Sequence, residues 1–165
     1  MASENYLGNP NLKNVGQNIE WTEDSLAEYM KCKESPEYFI ANFVKIIHVD
    51  HGLVPFEMYD YQKDMINKFN DNRFVICKMP RQTGKSTTII SFLLHYILFN
   101  ESTNVAILAN KGAVARELLS RLQLAYENLP KWLQQGVVVW NKGNIEVENG
   151  SKVIAAATSS SAVRG

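Results

Sequence analysis

Between Arg73 and Phe99 the hydrophobic period changes within one short polar stretch, and that switch constrains the fold more than any other feature. Phe74, Val75, Ile76 and Cys77 form a continuous apolar run, the pattern of a strand buried on both faces. Met79 to Thr83 has loop composition, and Gly84-Lys85-Ser86 opens a long apolar helix to about Phe99. Val105 to Ala109 repeats the buried-strand pattern, and Ala113 to about Asn128 the helical one. Strand, loop, helix, strand, helix in this order predicts an α/β fold on a parallel sheet with right-handed crossovers.

The segment Met79-Pro80-Arg81-Gln82-Thr83-Gly84-Lys85-Ser86 fits the phosphate-loop pattern GxxxxGK[ST] except that Met79 stands where the first glycine belongs. The GKS tripeptide alone is weak; a strand directly before it and a helix directly after are what the chemistry requires. Amides at a helix start, where the partial charge is about half a positive unit, converge on phosphate oxygens. In a P-loop nucleotide site Lys85 bridges the β- and γ-phosphates, Ser86 holds Mg²⁺ through its hydroxyl, and Gly84 lets the backbone approach closely. Gln82, Thr83 and Thr87 complete the expected ATP-binding stretch. The bland alternative is an ordinary exposed first turn, yet a lysine there opposes the helix dipole and an anion relieves it.

Upstream, residues 1–20 are rich in Asn and Gly without apolar periodicity and predict an extended amino-terminal arm. Thr22 is an N-cap candidate, followed by acidic Glu23 and Asp24 and a helix to about Lys33. Ser35 and Pro36 repeat the start signal, and Phe39, Phe43, Val44 and Ile47 recur at helical spacing. His51 and Gly52 mark a turn, and Tyr59 to Phe69 is helical in pattern. Downstream of Pro130, Val137 to Trp140, Asn144 to Glu148 and Lys152 to Ala157 predict short strands, the last two joined by an Asn149-Gly150 turn suited to type I′. No linker or repeat divides residues 21–165. His48, Asp50 and His51 lack further ligands for a metal and fit a polar turn. His95 is expected in the core or at its boundary, Trp132 and Trp140 in strand packing, and Lys111, Arg116 and Arg121 on a solvated helix face.

Lys plus Arg and Asp plus Glu number 17 each, so no global positive field exists to hold nucleic acid, and any such contact must be local. Cys32 and Cys77 lie far apart in contrasting contexts, which fits a reducing compartment better than a disulfide. There is no signal-peptide pattern, and no apolar run nears the ~20 residues of a membrane span, so a cytoplasmic protein without a membrane partner is expected.

Five stretches together resemble the large terminase subunit, the DNA-packaging motor, of myovirus-type tailed phages. They are RQTGKS at the loop, Tyr59 to Met65, Ile107 to Gly112, Trp140 to Glu146, and Ser159 to Gly165. The resemblance covers the amino-terminal part of the ATPase domain, from about residue 7 onward. It implies an incomplete RecA- or helicase-like P-loop NTPase sheet preceded by an α-helical lead-in. It further implies ATP and Mg²⁺ as cofactors and ATP hydrolysis that drives double-stranded DNA into a procapsid. Implied partners are the DNA, a portal protein, a small terminase subunit and sister chains in a homo-oligomeric ring. The implied location is the host cytoplasm and, transiently, the procapsid portal vertex. By resemblance Arg81 touches the γ-phosphate as an arginine finger within the chain and forms the catalytic pair with Lys85, while Gln62 reads the adenine edge. Asn110-Lys111-Gly112 corresponds to a helicase-like motif that relays nucleotide state or meets DNA, with a plain strand-to-helix turn as the equal alternative.

The sequence departs from that pattern in one respect. ATPases of this class need an apolar strand ending in Asp-Glu to support Mg²⁺ and orient water, and neither that strand nor a nuclease carboxylate cluster is present. The expectation is a fragment, truncated before the Asp-Glu strand and lacking the nuclease domain, that folds poorly, binds ATP weakly and does not turn it over. Without its flanking strands, Phe74 to Cys77 would expose unpaired backbone and apolar side chains. Alternatives are a fragment of a superfamily 2 helicase or translocase, and a nonenzymatic remnant that binds a partner motor chain. A small-molecule kinase fits less well, because roughly 70 residues precede the loop.

Overall fold

A computed structural model describes residues 5–158; the Ser159 to Gly165 stretch of the resemblance therefore lies outside the described residues. Helices α1 (Glu23–Glu34) and α2 (Pro36–Phe43) lead into a hairpin of β1 (Lys45–His48) and β2 (Gly52–Pro55). Helix α3 (Asp60–Asp71), the loop, α4 (Lys85–Phe99), β3 (Asn104–Ala109) and α5 (Gly112–Glu127) follow. Strands β4 (Val137–Trp140), β5 (Asn144–Val147) and β6 (Lys152–Ala157) complete the order.

Local chemistry sets most of these boundaries. The Thr22 hydroxyl accepts from the Ser25 amide at 3.1 Å while the Ser25 hydroxyl accepts from the Thr22 amide at 3.0 Å, a reciprocal cap that starts α1. Ser35 caps α2 by accepting from the Tyr38 amide at 3.1 Å, with Pro36 at the first helical position.

The larger sheet has the order β3-β6-β5-β4, with β3 and β6 parallel and the other pairs antiparallel. It is thus a mixed sheet rather than the expected parallel one, because the connections from β4 to β5 and from β5 to β6 are too short for crossovers. The hairpin between β5 and β6 also differs from the two-residue type I′ turn. Gly150 alone has positive φ there (+83°), the Gly150 amide donates to Val147 O, and the Val147 amide to Ser151 O. The reason lies across the fold: Asn149 Nδ2 donates to Ile97 O at 2.8 Å and Asn100 O at 3.2 Å, so its side chain caps the end of α4.

The core forms where α4 and α5 meet α2 on one side and the inward face of the sheet on the other, with Leu94, Ile97, Leu119, Leu122, Val147 and Val153 fully buried. Phe39, Phe99 and Tyr29 join α1, α2 and α4 through edge-on and tilted ring contacts. His95 is buried among them, as expected, and shares a 2.8 Å hydrogen bond with Cys32 O. Trp140 on β4 packs against Tyr126, while Trp132 meets Phe43 and Trp21 from outside the strands. Both cysteines are free thiols, and burial pushes that of Cys32 up to about 12. The arm segment covers the edge strand β4: the Val137 amide donates to Lys13 O at 2.9 Å, and Leu12 is buried.

Two expectations fail for one reason. The helical spacing that continued α2 through Ile47 is overruled at Val44, and Ile46, Ile47 and His48 instead pair with β2. Phe74 to Cys77 is not a doubly buried strand. It pairs with no strand among the described residues, and Phe74 and Ile76 are 83% and 96% exposed while Val75 and Cys77 line a groove against Phe92 and Leu93 of α4. An apolar run specifies a strand only when another strand meets it. No helix of the described residues is long and apolar enough to cross a membrane.

Candidate functional site

The loop turns into α4 through two left-handed residues, Gln82 (φ 63°) and Gly84 (φ 73°), the second being the helix N-cap. Amides at a helix start have no intrahelical partner. Among the described residues, no acceptor meets the amides of residues 82–87. The carbonyls are held more firmly. Pro80 O accepts from Lys85 Nζ at 2.8 Å and from Thr83 Oγ1 at 3.1 Å, so the ammonium folds back into the concave side of the loop. Ser86 and Thr87 stand half-buried on the first turn, and Arg81 is exposed with no carboxylate within ion-pair distance among the described residues.

Helix α3 supports this loop from beneath. Gln62 is 3% exposed; its Oε1 accepts from the Tyr59 amide at 2.9 Å, and its Nε2 faces Thr83 O at 3.5 Å. Tyr61 is partly exposed, and its hydroxyl donates to Thr83 O at 2.8 Å. Two side chains of one helical turn therefore converge on one carbonyl of the loop. Tyr59 stacks on Tyr61 at 5.7 Å with an interplanar angle of 11°.

Beside the loop lies a cleft of about 760 Å³. One wall carries Tyr59, Tyr61 and Gln62, the end carries Gln82, Thr83, Gly84 and Thr87, and the opposite wall is the β1–β2 hairpin. Strand alternation puts His48 at this cleft and Lys45 and Ile47 at another, between the hairpin and helices α4 and α5, while Ile46 borders both. The turn after β1 stacks His48 on His51 at 4.9 Å, and His48 Nδ1 accepts from the Asp50 amide at 3.2 Å. Among the described residues, no group of three or more His, Cys, Asp or Glu side chains is placed to hold a metal ion.

The structure thus brings Gln62, Gln82, Thr83, Gly84 and Thr87 to one cleft, with Lys85 and Ser86 on the adjoining turn. The hairpin wall has no signal at the loop, although the alternation of Ile46 and His48 before Gly52 could have marked it as a strand. Lys111 is the exposed N-cap of α5, and Arg116 and Arg121 lie on the helix's exposed face, Arg121 pairing with Glu117.

A family model described as the terminase large subunit, T4-like-virus type, amino-terminal, matches residues 76–165. In three dimensions the chain is similar to the crystal structure of the large terminase of bacteriophage HK97, with a TM-score of 0.64 and 19% identity. The likeness covers 81% of this chain and 29% of that one, so the chain spans less than a third of that protein's length. At that identity the likeness is one of fold.

Proposed function

The chain belongs to the terminase large-subunit family of T4-like-virus type, as an amino-terminal part, and from that premise we propose that it is the nucleotide-binding portion of the packaging motor. The observation that carries this reading is the run of amides at residues 82–87 that meet no acceptor among the described residues, beside a Lys85 ammonium folded back onto Pro80 O at the start of a 15-residue helix. Such a donor set suits anionic oxygens, and a phosphate chain supplies them in the number the loop can meet.

In this reading the phosphates of ATP displace Pro80 O as the partner of Lys85, and the loop amides bind the β-phosphate side. Arg81 reaches the γ-phosphate and steadies charge as it develops. The Ser86 hydroxyl would hold Mg²⁺, which supplies positive charge beside the phosphate oxygens. The base would occupy the cleft beside Gln62, whose amide carries both a donor and an acceptor; to read an adenine edge it must release Tyr59 or Thr83. The P-loop NTPase architecture is part of the same proposal.

Hydrolysis also needs carboxylates that orient water and support the metal, and the sequence contains no Asp-Glu pair. The 165-residue chain therefore binds ATP without turning it over. In the whole protein, hydrolysis drives double-stranded DNA into a procapsid, with the portal, a small terminase subunit and sister chains in a ring as partners, in the host cytoplasm and at the portal vertex.

The test is equilibrium binding of ATP with Mg²⁺ to the chain and to Lys85→Ala, with thermal melting as the folding control. Loss of binding at unchanged melting temperature is expected. Equal affinity in both proteins would remove the loop from the site.

A further inference from the structure

We infer that His48 and His51, on the β1–β2 hairpin, form the second wall of the nucleobase cleft and set how tightly a nucleotide is held relative to its bare phosphate chain. The inference rests on the nucleotide reading of the loop. It adds a part of the chain remote from every phosphate-loop residue.

The geometry is as follows. The hairpin stands apart from the larger sheet as a two-stranded ribbon, paired from Lys45↔Pro55 to His48↔Gly52. Its inward row, Ile46, Val54 and His48, borders the same cleft as Tyr59, Tyr61 and Gln62. An aromatic pair therefore sits on each wall: Tyr59 over Tyr61 on α3, and His48 over His51 on the hairpin. Tyr59 is 68% exposed and both histidines are exposed, so these faces are open to a ligand. A planar base gains from stacking on such faces, while a phosphate chain gains nothing there.

His48 and His51 stack on each other and are both exposed, so this wall can be altered at solvent-facing positions.

The experiment titrates ATP and inorganic tripolyphosphate against the 165-residue chain, both read by ³¹P NMR, which detects weak complexes. In the double variant His48→Ala/His51→Ala, ATP affinity is expected to fall about fivefold or more while tripolyphosphate affinity is unchanged. The double variant His48→Phe/His51→Phe keeps the planar faces and is expected to restore ATP affinity. A parallel loss for both ligands, or no loss for either, overturns the inference and leaves the phosphate site standing. If neither ligand binds the unmodified chain, the nucleotide reading falls and takes the wall with it.

Discussion

Gln62 Nε2 lies 2.5 Å from the point where a β-carbon on Gly84 would stand. Gly84 also has φ 73°, so one residue is required to be glycine twice, by its backbone and by its neighbour. Gly84→Ala costs roughly 1–2 kcal/mol for the left-handed backbone alone. It also pushes the Gln62 amide off the Tyr59 amide and away from Thr83 O. Nucleotide affinity is expected to drop more than thermal stability does, because the displaced atoms line the cleft. An Ala variant that binds ATP as the parent does would show that the loop does not depend on this turn.

Acid should weaken the fold through His95. Burial holds its imidazole down at about 4 from the usual 6.5, against a smaller raising effect of the Cys32 carbonyl. The unfolded chain takes up a proton near pH 6.5 that the native state refuses until about pH 4. The stabilisation is therefore complete above pH 6.5 and is lost as pH falls toward 4, by roughly 3 kcal/mol over the window. Urea unfolding across that window, compared with His95→Gln, should show a flatter profile in the variant. Identical slopes would mean that His95 does not carry the acid sensitivity.

Gln134 fastens the amino-terminal arm to the end of α5. Its Nε2 donates to Asn11 O at 2.9 Å, Tyr126 O at 3.2 Å and Leu129 O at 3.0 Å, and its Oε1 accepts from the Lys13 amide at 3.0 Å. Gln134→Leu removes all four bonds and takes from the buried Leu129 O its Gln134 partner, at a cost of about 1–3 kcal/mol. Hydrogen exchange should then rise at the Lys13 and Val137 amides before it rises in α4. Uniform exchange would place the loss elsewhere.

Ile76 is exposed on an apolar stretch with no strand beside it among the described residues. In this chain Ile76→Lys should change stability by less than ~0.5 kcal/mol and should reduce light scattering on concentration, because a bare apolar edge invites association. A large drop in melting temperature would show that this face is covered in solution.

Much of this was legible along the chain. The caps at Thr22 and Ser35, the span of α4 and the limits of β3, β4 and β6 follow from residues a few positions apart, and periodicity reports such neighbours. The loop-to-helix transition was legible for the same reason, since Gly84 and Lys85 are adjacent. The role of Tyr61 was not, because its partner Thr83 O is 22 residues away and nothing in a helical pattern tells an exposed tyrosine from a half-buried one. The hairpin wall was hidden by a coincidence: Phe39, Phe43 and Ile47 satisfy a helical period, yet Ile47 takes its conformation from Leu53 across the ribbon.

The sequence by itself determined where the chain makes a loop that ends in a glycine-led helix, because turn chemistry, capping and periodicity are properties of adjacent residues. The open edge at Phe74 to Cys77 already followed from the flanking strands the sequence lacks. Only the tertiary structure decided that Asn149 caps α4 instead of forming a two-residue turn, and that a histidine-bearing hairpin faces the tyrosines across a cleft. Each of these depends on free energy gained between residues distant in the chain, and that gain exists only once the helices have packed.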